Sequence, residues 1–540
     1  MRAAFRSAAS QGRARIIACA ATAAVIQGSL IDVSRRDTHA AAAVALPNAV
    51  QQTDNAVVRK GNDKLTESFA RQVYWVVVKL EQVIRYLSRF LQVGALASPL
   101  LALAPATYLL GSTSVGGNME SLTMDYICWA LEVLGPAFIK LAQWASSRPD
   151  LYPPVVIDKL SKFQDDVRIK YSSQVVDKTL SDAFGANWKE RLSVDMDNPI
   201  GSGCIAQVFR GILREAGQQV KVAIKIIHPH VESMIKTDME ILSGFATLVD
   251  LVPALEMLSL GESCRQFGKA MNDQLDMTIE AKNLVKFASK WGNEKWASFP
   301  RPIEGYVKRN VLVETLMEGQ SIVNFMALRD ELGEKTRKLK ALLSDLGARA
   351  MIKMIFFDNF IHGDMHPGNI LVDFDPHTGE PHLVFLDCGI VYYSKTEKEH
   401  SALVDICIAF MQHDGRRAAR LMIDNNSGAN RVHNAQGFIE AVQLMVDDAE
   451  HHSYFEHLGE YVVRICELAR VHRVRLDPGY FHVAMALKVA EGISLALDKD
   501  LDLVSKCIPV IMKARALKAM GRDVLFDPDA DKDKGAEAKK

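Results

Sequence analysis

The chain has 540 residues, of which 24% are charged and 49% are hydrophobic, and its formal net charge is −1. These values are typical of a globular protein with room for two or three domains, or for one large domain with extensions. The lack of a basic excess argues against a nucleic acid partner. The eight cysteines form no C-x-x-C pair, so neither a zinc site nor a disulfide framework is predicted.

Residues 1–50 have the composition of a targeting segment. Arg2, Arg6, Arg13 and Arg15 lie among many alanines and serines, and the first acidic residue is Asp32. Such an arginine-bearing, acid-poor start is typical of a transit peptide. The apolar run 16–26 also fits a secretory signal, but the wide arginine spacing and the absence of cysteine pairing favour the mitochondrion.

Residues 51–120 contain a predicted amphipathic helix at 64–92 and a stretch without charge between Arg89 and Glu120. The core of that stretch, 93–110, is long enough to cross about 30 Å of hydrocarbon as a helix, and membrane helices tolerate prolines. It predicts a membrane-spanning or membrane-inserted segment. A buried alanine-rich helix or an apolar linker is the alternative.

Residues 121–197 are predicted to form a helical extension. Within it Lys140 and Gln143 are three positions apart and share a helix face. A largely apolar helix that places these two side chains together predicts a role facing an anion. The alternative is a solvated lysine beside a glutamine.

Residues 198–320 begin with a strand, a turn containing Gly201 and Gly203, and a second strand. The next strand carries V-A-I-K, and the lysine of that motif in kinases contacts the α and β phosphates of ATP, which assigns this role to Lys225. Glycines let backbone amides approach phosphate oxygens closely. The third glycine of the kinase loop is absent, since Ala206 stands there.

A long helical segment, about 229–290, follows, and it must supply a partner for Lys225. A buried lysine needs an anion to offset its desolvation, and Glu280 is the predicted partner, with Asp276 as the alternative. The strand 311–315 then runs into a turn that corresponds to a kinase hinge, where the chain meets adenine. Glu314 and Met317 are the predicted contacts there.

The run 360–372 has two His, two Gly, a Pro, an Asp and an Asn between apolar segments. Asp364 and Asn369 have the spacing of the kinase catalytic loop, in which the Asp accepts the proton of the attacking hydroxyl and the Asn holds magnesium. The apolar run 383–386 predicts a buried strand that delivers Asp387 to the same site as a second metal ligand.

The C-terminal part, within 321–520, is predicted to be a helix-rich lobe. After Gly389 the pattern turns helical almost at once, so there is no long activation segment to support a peptide substrate. Residues 521–540 are predicted to be a disordered tail, because the charged sequence from Asp527 onward lacks apolar anchors.

Together these motifs resemble the UbiB/ADCK family of atypical protein-kinase-like proteins over roughly residues 120–510. The resemblance is carried by K-L-A-Q at 140–143, G-S-G-C-I-A-Q-V at 201–208, V-A-I-K at 222–225, Glu280-Ala281 with Asn283, H-G-D-M-H-P-G-N at 362–369, L-D-C-G at 386–389, and Glu491-Gly492 with Leu497-Asp498. The family hallmark is K-x-G-Q, so Ala142 is a departure that affects close helix contact. The G-S-G-C loop is similar to the eukaryotic ADCK branch.

This resemblance implies an α+β, bilobal kinase-like fold with a helical N-terminal extension. It implies a mitochondrial protein associated with the inner membrane, with ATP and Mg²⁺ as cofactors and a lipid or quinone-like partner, tied to ubiquinone biosynthesis or lipid metabolism and to a protein complex serving them. It also implies that the helix bearing Lys140 and Gln143 covers the site, and that Cys204 and Gln207 belong to the nucleotide loop.

Three functions are compatible with these observations. The first is an atypical kinase or ATPase that transfers phosphoryl to water or to a lipid-like hydroxyl. The second is a nucleotide-binding scaffold without phosphoryl transfer, which the altered K-L-A-Q and the missing third glycine favour. The third is an aminoglycoside- or choline-kinase-like phosphotransferase, which shares H-G-D-x-x-x-x-N but which the Lys140–Gln143 helix disfavours.

Overall fold

The computed structural model describes residues 83–100, 114–146, 154–164, 172–251, 260–329, 333–425, 434–452 and 458–499, apart from 216, 395, 475 and 477, and a few isolated positions (75, 76, 79, 80, 152, 509, 512 and 516). The predicted targeting segment 1–50 and the predicted tail 521–540 lie outside the described residues. The chain divides into two compact units, residues 1–138 with 233–245, and residues 139–232 with 246–540.

The first unit is helical where it is described. It contains helix 83–100, helix Ser114–Leu134 and the part of helix Val231–Asp250 that covers residues 233–245. Arg89 joins two of these helices, because its guanidinium donates to both oxygens of the buried Asp238 at 2.6 and 2.8 Å. Tyr126 donates from its hydroxyl to the Leu96 carbonyl at 2.9 Å.

The predicted membrane-spanning segment 93–110 is not supported. Among the described helices, none is both long enough and apolar enough to span a bilayer. Residues 93–100 form the end of helix 83–100, where Leu96 is buried inside the unit, and residues 101–110 lie outside the described residues. In the described half of the segment, the apolar Leu96 therefore packs against protein.

The second unit contains an antiparallel sheet with the strand order β1-β3-β4-β7-β6, and β2 pairs with β3. One face is packed by helices Ser173–Phe184 and Trp188–Arg191, which bury Val222, Ile224 and Ile226 of β4. Because side chains alternate along a strand, Ala223 and Lys225 lie on the opposite face. The strands are β1 (Leu192–Val194), β2 (Gly201–Ser202), β3 (Ala206–Glu215), β4 (Gln218–Ile227), β6 (Pro302–Lys308) and β7 (Val311–Thr315).

A smaller sheet has the order β5-β11-β10-β8, and a two-stranded ladder joins β9 to β12. The chain passes from the larger sheet to the smaller one between Thr315 at the end of β7 and Gln320 at the start of β8. The strands are β5 (Ala297–Ser298), β8 (Gln320–Ser321), β9 (Ile361–His362), β10 (Ile370–Phe374), β11 (Pro381–Phe385) and β12 (Val391–Tyr392).

Helices make up most of the remaining described residues, and three of them lie in the described part of the predicted helical segment 229–290. The mixture of helices and largely antiparallel sheets confirms the predicted α+β class. The helices are Pro136–Ser146, Pro154–Leu160, Val231–Asp250, Leu260–Gln274, Met277–Trp291, Ile322–Met326, Glu334–Ile352, Glu397–Met411, Gly415–Asp424, Ala435–His452, Leu458–Val471 and Pro478–Leu497, with 3₁₀ turns at Ser161–Gln164 and Pro367–Asn369 and a π-helix at Lys353–Phe357.

Candidate functional site

The hairpin of β10 and β11 places two of the predicted site residues side by side. Ile370, the first residue of β10, pairs with Phe385, the last residue of β11. Asn369 immediately precedes β10 and Asp387 follows two residues after β11, so both leave the hairpin at its open end. The Leu386 amide donates to the Asn369 carbonyl at 2.8 Å, which continues the ladder one step beyond the strands.

A hydrogen-bond network fixes the predicted catalytic loop against this hairpin. His362 is buried, and its Nε2 lies 2.8 Å from the Leu386 carbonyl while its Nδ1 accepts from the Asp364 amide at 3.2 Å. These contacts require the neutral tautomer with the proton on Nε2, in agreement with burial, which lowers the pKa of His362. The Asn369 side-chain amide donates to the Asp364 carbonyl at 3.0 Å. The loop is therefore held by side chains at both ends.

Lys225 lies between two carboxylates. Its Nζ is 2.9 Å from the nearer oxygen of Glu280 on helix Met277–Trp291 and 2.9 Å from Oδ1 of Asp387. The structure thus contains the Lys225–Glu280 ion pair expected from the sequence. Asp276, the alternative partner, caps the same helix instead, since its side chain accepts from the Thr278 amide at 2.9 Å.

Burial and charge shift the pKa values of this cluster in different directions. Burial alone lowers the pKa of Lys225, but the Asp387 and Glu280 carboxylates raise it above its ordinary value. Burial raises the pKa of Glu280 to about 7, against the attraction of Lys225. Burial also acts upward on the pKa of Asp387, but the Lys225 ammonium outweighs it and holds that pKa low. At neutral pH Lys225 is therefore a cation and Asp387 an anion.

Glu314 is a further acid on the same face of the sheet. It pairs with Ala223 on β4, two positions from Lys225, so its side chain projects to the side that Lys225 occupies. It is only 9% exposed, and its Oε2 has no hydrogen-bond partner. Burial and the nearby Glu280 raise the pKa of Glu314 to about 8. Met317 lies half-buried in the turn between the two sheets, at the position predicted for a hinge.

The predicted nucleotide loop is a short antiparallel hairpin in which Gly201 pairs with Val208. His228 holds its tip, because its Nε2 lies 2.8 Å from the Gly203 carbonyl and its amide donates to the Ile205 carbonyl at 2.8 Å. Cys204 and Gln207 are buried, and their contact with a nucleotide stays a prediction. A Cβ at Gly203 would meet no atom closer than 3.8 Å, which leaves the outer side of the turn open to a ligand.

Of the two predicted residues on helix Pro136–Ser146, Lys140 acts on the site through its charge and Gln143 binds elsewhere. Lys140 is close enough to Asp387 to help lower the pKa of that carboxyl. It also acts on Cys204, where burial raises the thiol pKa and Lys140 opposes the rise. Gln143 instead donates to the Phe163 carbonyl at 2.6 Å. Lys140 therefore adjoins the cluster, and Gln143 fixes the segment that follows the helix.

The residues present are suited to a magnesium nucleotide. Asn369 and Asp387 offer the oxygen ligands that Mg²⁺ prefers, and Mg²⁺ commonly takes few protein ligands because phosphates and waters complete its shell. In the described ranges no three His, Cys, Asp or Glu side chains come together as a metal site. Asp387 is 44% exposed on its side chain and accessible to such an ion.

Comparison with known proteins identifies the family. The model of the ABC1 atypical kinase-like domain matches residues 162–422. A probable protein kinase UbiB of Cronobacter sakazakii is 30% identical over 71% of this chain and 68% of that protein. This chain belongs to the ABC1/UbiB family of atypical kinase-like proteins. The resemblance predicted from the sequence motifs and the kinase-like fold are thereby confirmed.

Two mitochondrial members of the ABC1/UbiB family are each 28% identical to this chain. The protein of Schizosaccharomyces pombe aligns with 81% of this chain and 72% of its own length, and that of Saccharomyces cerevisiae with 78% and 74%. A solved structure of Rv3197 with erythromycin from Mycobacterium tuberculosis is similar over 72% of this chain and 94% of that chain, with 16% identity and a TM-score of 0.44.

Three residues support the site without having been assigned a role in it from the sequence. His362 and His228 hold the two loops as described, and Asn283 donates from its side-chain amide to the Cys388 carbonyl at 2.9 Å. Asn283 lies three positions after Glu280, so one helix contacts both Lys225 and the residue after Asp387. Its spacing from Glu280 was the available signal, since residues three apart share a helix face.

Proposed function

We propose that this protein binds ATP with Mg²⁺ between the Gly201–Gly203 turn and the Asp364–Asn369 loop, and that it hydrolyses ATP or transfers its terminal phosphoryl group. The observation that supports this most strongly is the position of Lys225, whose Nζ lies 2.9 Å from Asp387 Oδ1. A phosphate-binding lysine and a metal-binding acid, brought together from separate sheets, form the electrostatic part of a phosphoryl-transfer site.

Each residue has a distinct proposed task. MgATP supplies the phosphoryl group and a metal charge that offsets the charge of the transferring group. Lys225 would contact the phosphates while Glu280 holds its ammonium in place, and Asn369 and Asp387 would hold the metal through their oxygens. Asp364 orients or deprotonates the acceptor hydroxyl. Because Asp387 is ion-paired with Lys225, holding a metal there would require this contact to loosen.

The acceptor is proposed to be water or a small, lipid-like or quinone-like hydroxyl compound. Seven residues separate Gly389 from helix Glu397–Met411, and the described part of them includes the short strand β12, which pairs with β9. So short a connection leaves little chain to form a peptide-binding platform. Two relatives are named as mitochondrial, which supports a mitochondrial location for this protein. We further propose, from the resemblance to the UbiB/ADCK family, that it serves ubiquinone or lipid metabolism at the inner membrane as part of a biosynthetic complex.

Substitution of Asp387 tests the enzymatic proposal. We expect Asp387→Asn to abolish Mg²⁺-dependent ATP turnover, because an amide cannot neutralise the metal as a carboxylate does. The matched control is Asp373→Asn, which removes an exposed carboxylate from the same hairpin and should leave turnover unchanged. Phosphate release by the three proteins is measured with and without Mg²⁺. Full turnover by Asp387→Asn would contradict the proposed role of Asp387 as a metal ligand.

A nucleotide-binding scaffold without phosphoryl transfer is the second candidate. The contacts of the two predicted extension residues favour it. Gln143 donates to the Phe163 carbonyl, away from the cluster, and Lys140 acts on Asp387, the proposed metal ligand. A scaffold would bind MgATP without turnover, with or without vesicles. The match to the ABC1 domain does not support the aminoglycoside- or choline-kinase-like alternative, although that class shares H-G-D-x-x-x-x-N.

A further inference from the structure

Large apolar side chains are exposed along one side of helix 83–100 and of the helical positions just before it. Val83, Ile84, Leu87, Phe90 and Leu91 are each between 52% and 67% exposed. Val76 and Leu80 continue the same line at 56% and 57%. We call these seven residues the outward stripe.

The opposite side of this helix is anchored to protein. Arg89 binds both oxygens of Asp238, donates to the Leu134 carbonyl and lies 5.7 Å from the Phe138 ring centroid. Leu96, seven positions later and therefore on the same side, is 3% exposed. Because Arg89 and Leu96 turn inward, the outward stripe faces away from the helices of its own unit.

The width of the stripe indicates what covers it. Val76, Leu80, Val83, Leu87 and Phe90 alternate by four and three positions, which alone would suit a coiled-coil seam. Ile84 and Leu91 lie beside that seam, where a two-stranded coiled coil carries charged residues. The resulting apolar face is more than 100° wide on a helical projection. It is too wide for the seam of a two-stranded coiled coil and suits a broad apolar surface rather than a single partner helix.

The residues next to the stripe are those of a helix that lies on a lipid surface. Trp75 is 62% exposed at its start, with the Lys79 ammonium 5.8 Å from its ring centroid, and Tyr86 is 37% exposed along one edge. Aromatic rings at the edge of an apolar face, with lysine or arginine on the polar side, are typical of helices in the membrane interface. The uncharged stretch between Arg89 and Glu120 continues from this helix.

We infer that the outward stripe docks on a phospholipid surface, with helix 83–100 lying in the plane of the membrane rather than across it. This rests on the membrane location proposed above and names the surface responsible. It is independent of the nucleotide chemistry. The Arg89–Asp238 pair holds the helix so that its apolar side faces the lipid.

Vesicle binding by the full chain tests the surface. The double variant Leu87→Ser with Phe90→Ser removes two stripe side chains that are already exposed, so its melting temperature should match the wild type. Its partition onto phosphatidylcholine vesicles containing phosphatidylglycerol should fall by roughly tenfold or more. The matched control is Leu444→Ser with Val471→Ser, two side chains that are 67% and 60% exposed in the second unit, and its partition should be unchanged.

A depth measurement tests the orientation. Residues 75 and 90 are separated by about 22 Å along a helix axis, at 1.5 Å per residue, so a crossing helix would hold them at different depths. Fluorescence quenching by lipids brominated near the headgroup or near the chain end reports depth. The tryptophan fluorescence of position 75 is the difference between the wild type and Trp75→Phe. The fluorescence of position 90 is the difference between Phe90→Trp and the wild type. Both should be quenched mainly by the shallow bromine.

Each alternative result overturns the inference in a distinguishable way. Vesicle binding that survives in the Leu87→Ser, Phe90→Ser variant would retain the membrane location but assign it to another surface. Absence of binding by the wild type would remove the membrane location as well. Unequal depths at positions 75 and 90 would indicate a tilted or crossing helix, and a change in molecular mass of the variant without vesicles would indicate a protein partner or a second copy.

Discussion

Glu314 is the residue in the site that is hardest to explain by folding alone. Its carboxyl is buried, and Oε2 has no hydrogen-bond partner. The charged and titratable groups around it are Glu280, Lys225, Asp387 and Cys388. Glu280 is a second acid, and its charge raises the pKa of Glu314 further. An unpaired buried carboxyl destabilises a protein unless it stays protonated, so Glu314 is neutral at pH 7.

We expect Glu314→Met to stabilise the protein by about 1–3 kcal/mol near neutral pH, since methionine has a similar shape and no polar atom to satisfy. The effect should depend on pH. Burial raises the folded-state pKa of Glu314 from 4.5 to about 8, so the unfolded chain ionises first as pH rises. The wild type therefore loses stability relative to the variant from about pH 4.5 to about 8, and the difference becomes constant above that window.

Urea unfolding of both proteins between pH 5 and pH 9 measures this difference. The control is Glu304→Met, which replaces an exposed glutamate on the neighbouring strand β6 and should give a difference that does not vary with pH. A Glu314→Met protein that is less stable than the wild type throughout would show that the carboxyl has a stabilising partner after all.

The sequence allowed a residue's position in the site to be predicted where burial of its charge requires a partner of opposite charge. A buried lysine requires an anion, and the helical segment after β4 offered Glu280 in a suitable position. The burial of Glu314 could not be foreseen in the same way. Its position in V-L-V-E-T-L-M suits a solvated strand end, and only the pairing of β7 with β4 shows that its side chain projects toward Lys225.

At the scale of elements, the nucleotide loop depends on a residue outside it. His228 follows β4 and contacts the Gly203 and Ile205 carbonyls, one through its ring and one through its backbone amide. Burial lowers the pKa of His228, so the ring is neutral and its Nε2–H donates to Gly203. The loop is thus positioned before any ligand arrives, which reduces the entropy that binding must overcome.

We expect His228→Ala to weaken ATP binding by roughly fivefold, the value of one hydrogen bond of about 1 kcal/mol, and His228→Gln to recover part of the loss by restoring a donor. Equilibrium titration with a fluorescent ATP analogue measures both. His400→Ala is the control, since His400 is also buried and its Nε2 lies 3.0 Å from the Ile355 carbonyl. That variant should melt at a lower temperature yet bind ATP normally, and equal weakening by both variants would contradict a role specific to the loop.

Helices and strands could be predicted from the sequence where the pattern of apolar residues was long and regular enough to recognise. The apolar run 383–386 was predicted correctly as the strand that delivers Asp387, because short apolar runs bounded by turn residues are typical of buried strands. The sheet begins earlier than its glycine turn, at β1, since Leu192–Val194 pairs with residues 211–213 of β3. A three-residue strand has too little alternation to be recognised in the sequence, and its place is fixed by a partner about twenty residues away.

At the scale of the whole molecule, nucleotide binding and folding must be linked. A ligand that binds only the folded protein raises its stability by RT ln(1 + [L]/Kd), or about 2.7 kcal/mol at a concentration one hundred times Kd. In this chain the expected ligand would rearrange the cluster of Lys225, Glu280 and Asp387, which joins the larger sheet, helix Met277–Trp291 and the end of the β10–β11 hairpin. The stabilisation should therefore appear in the melting of the second unit as a whole.

We expect MgATP to raise the melting temperature of the wild type more than ATP with a chelator does, because Asn369 and Asp387 contribute only when the metal is present. Asp387→Asn should lose this Mg²⁺-dependent increment, whereas Asp373→Asn should retain it, and differential scanning fluorimetry of the three proteins provides the measurement. The result also separates the two candidate functions. An enzyme and a scaffold both show the increment, but only the enzyme releases phosphate under the same conditions. No stabilisation by MgATP at any concentration would contradict both, since each requires that the ion-paired cluster accept a nucleotide.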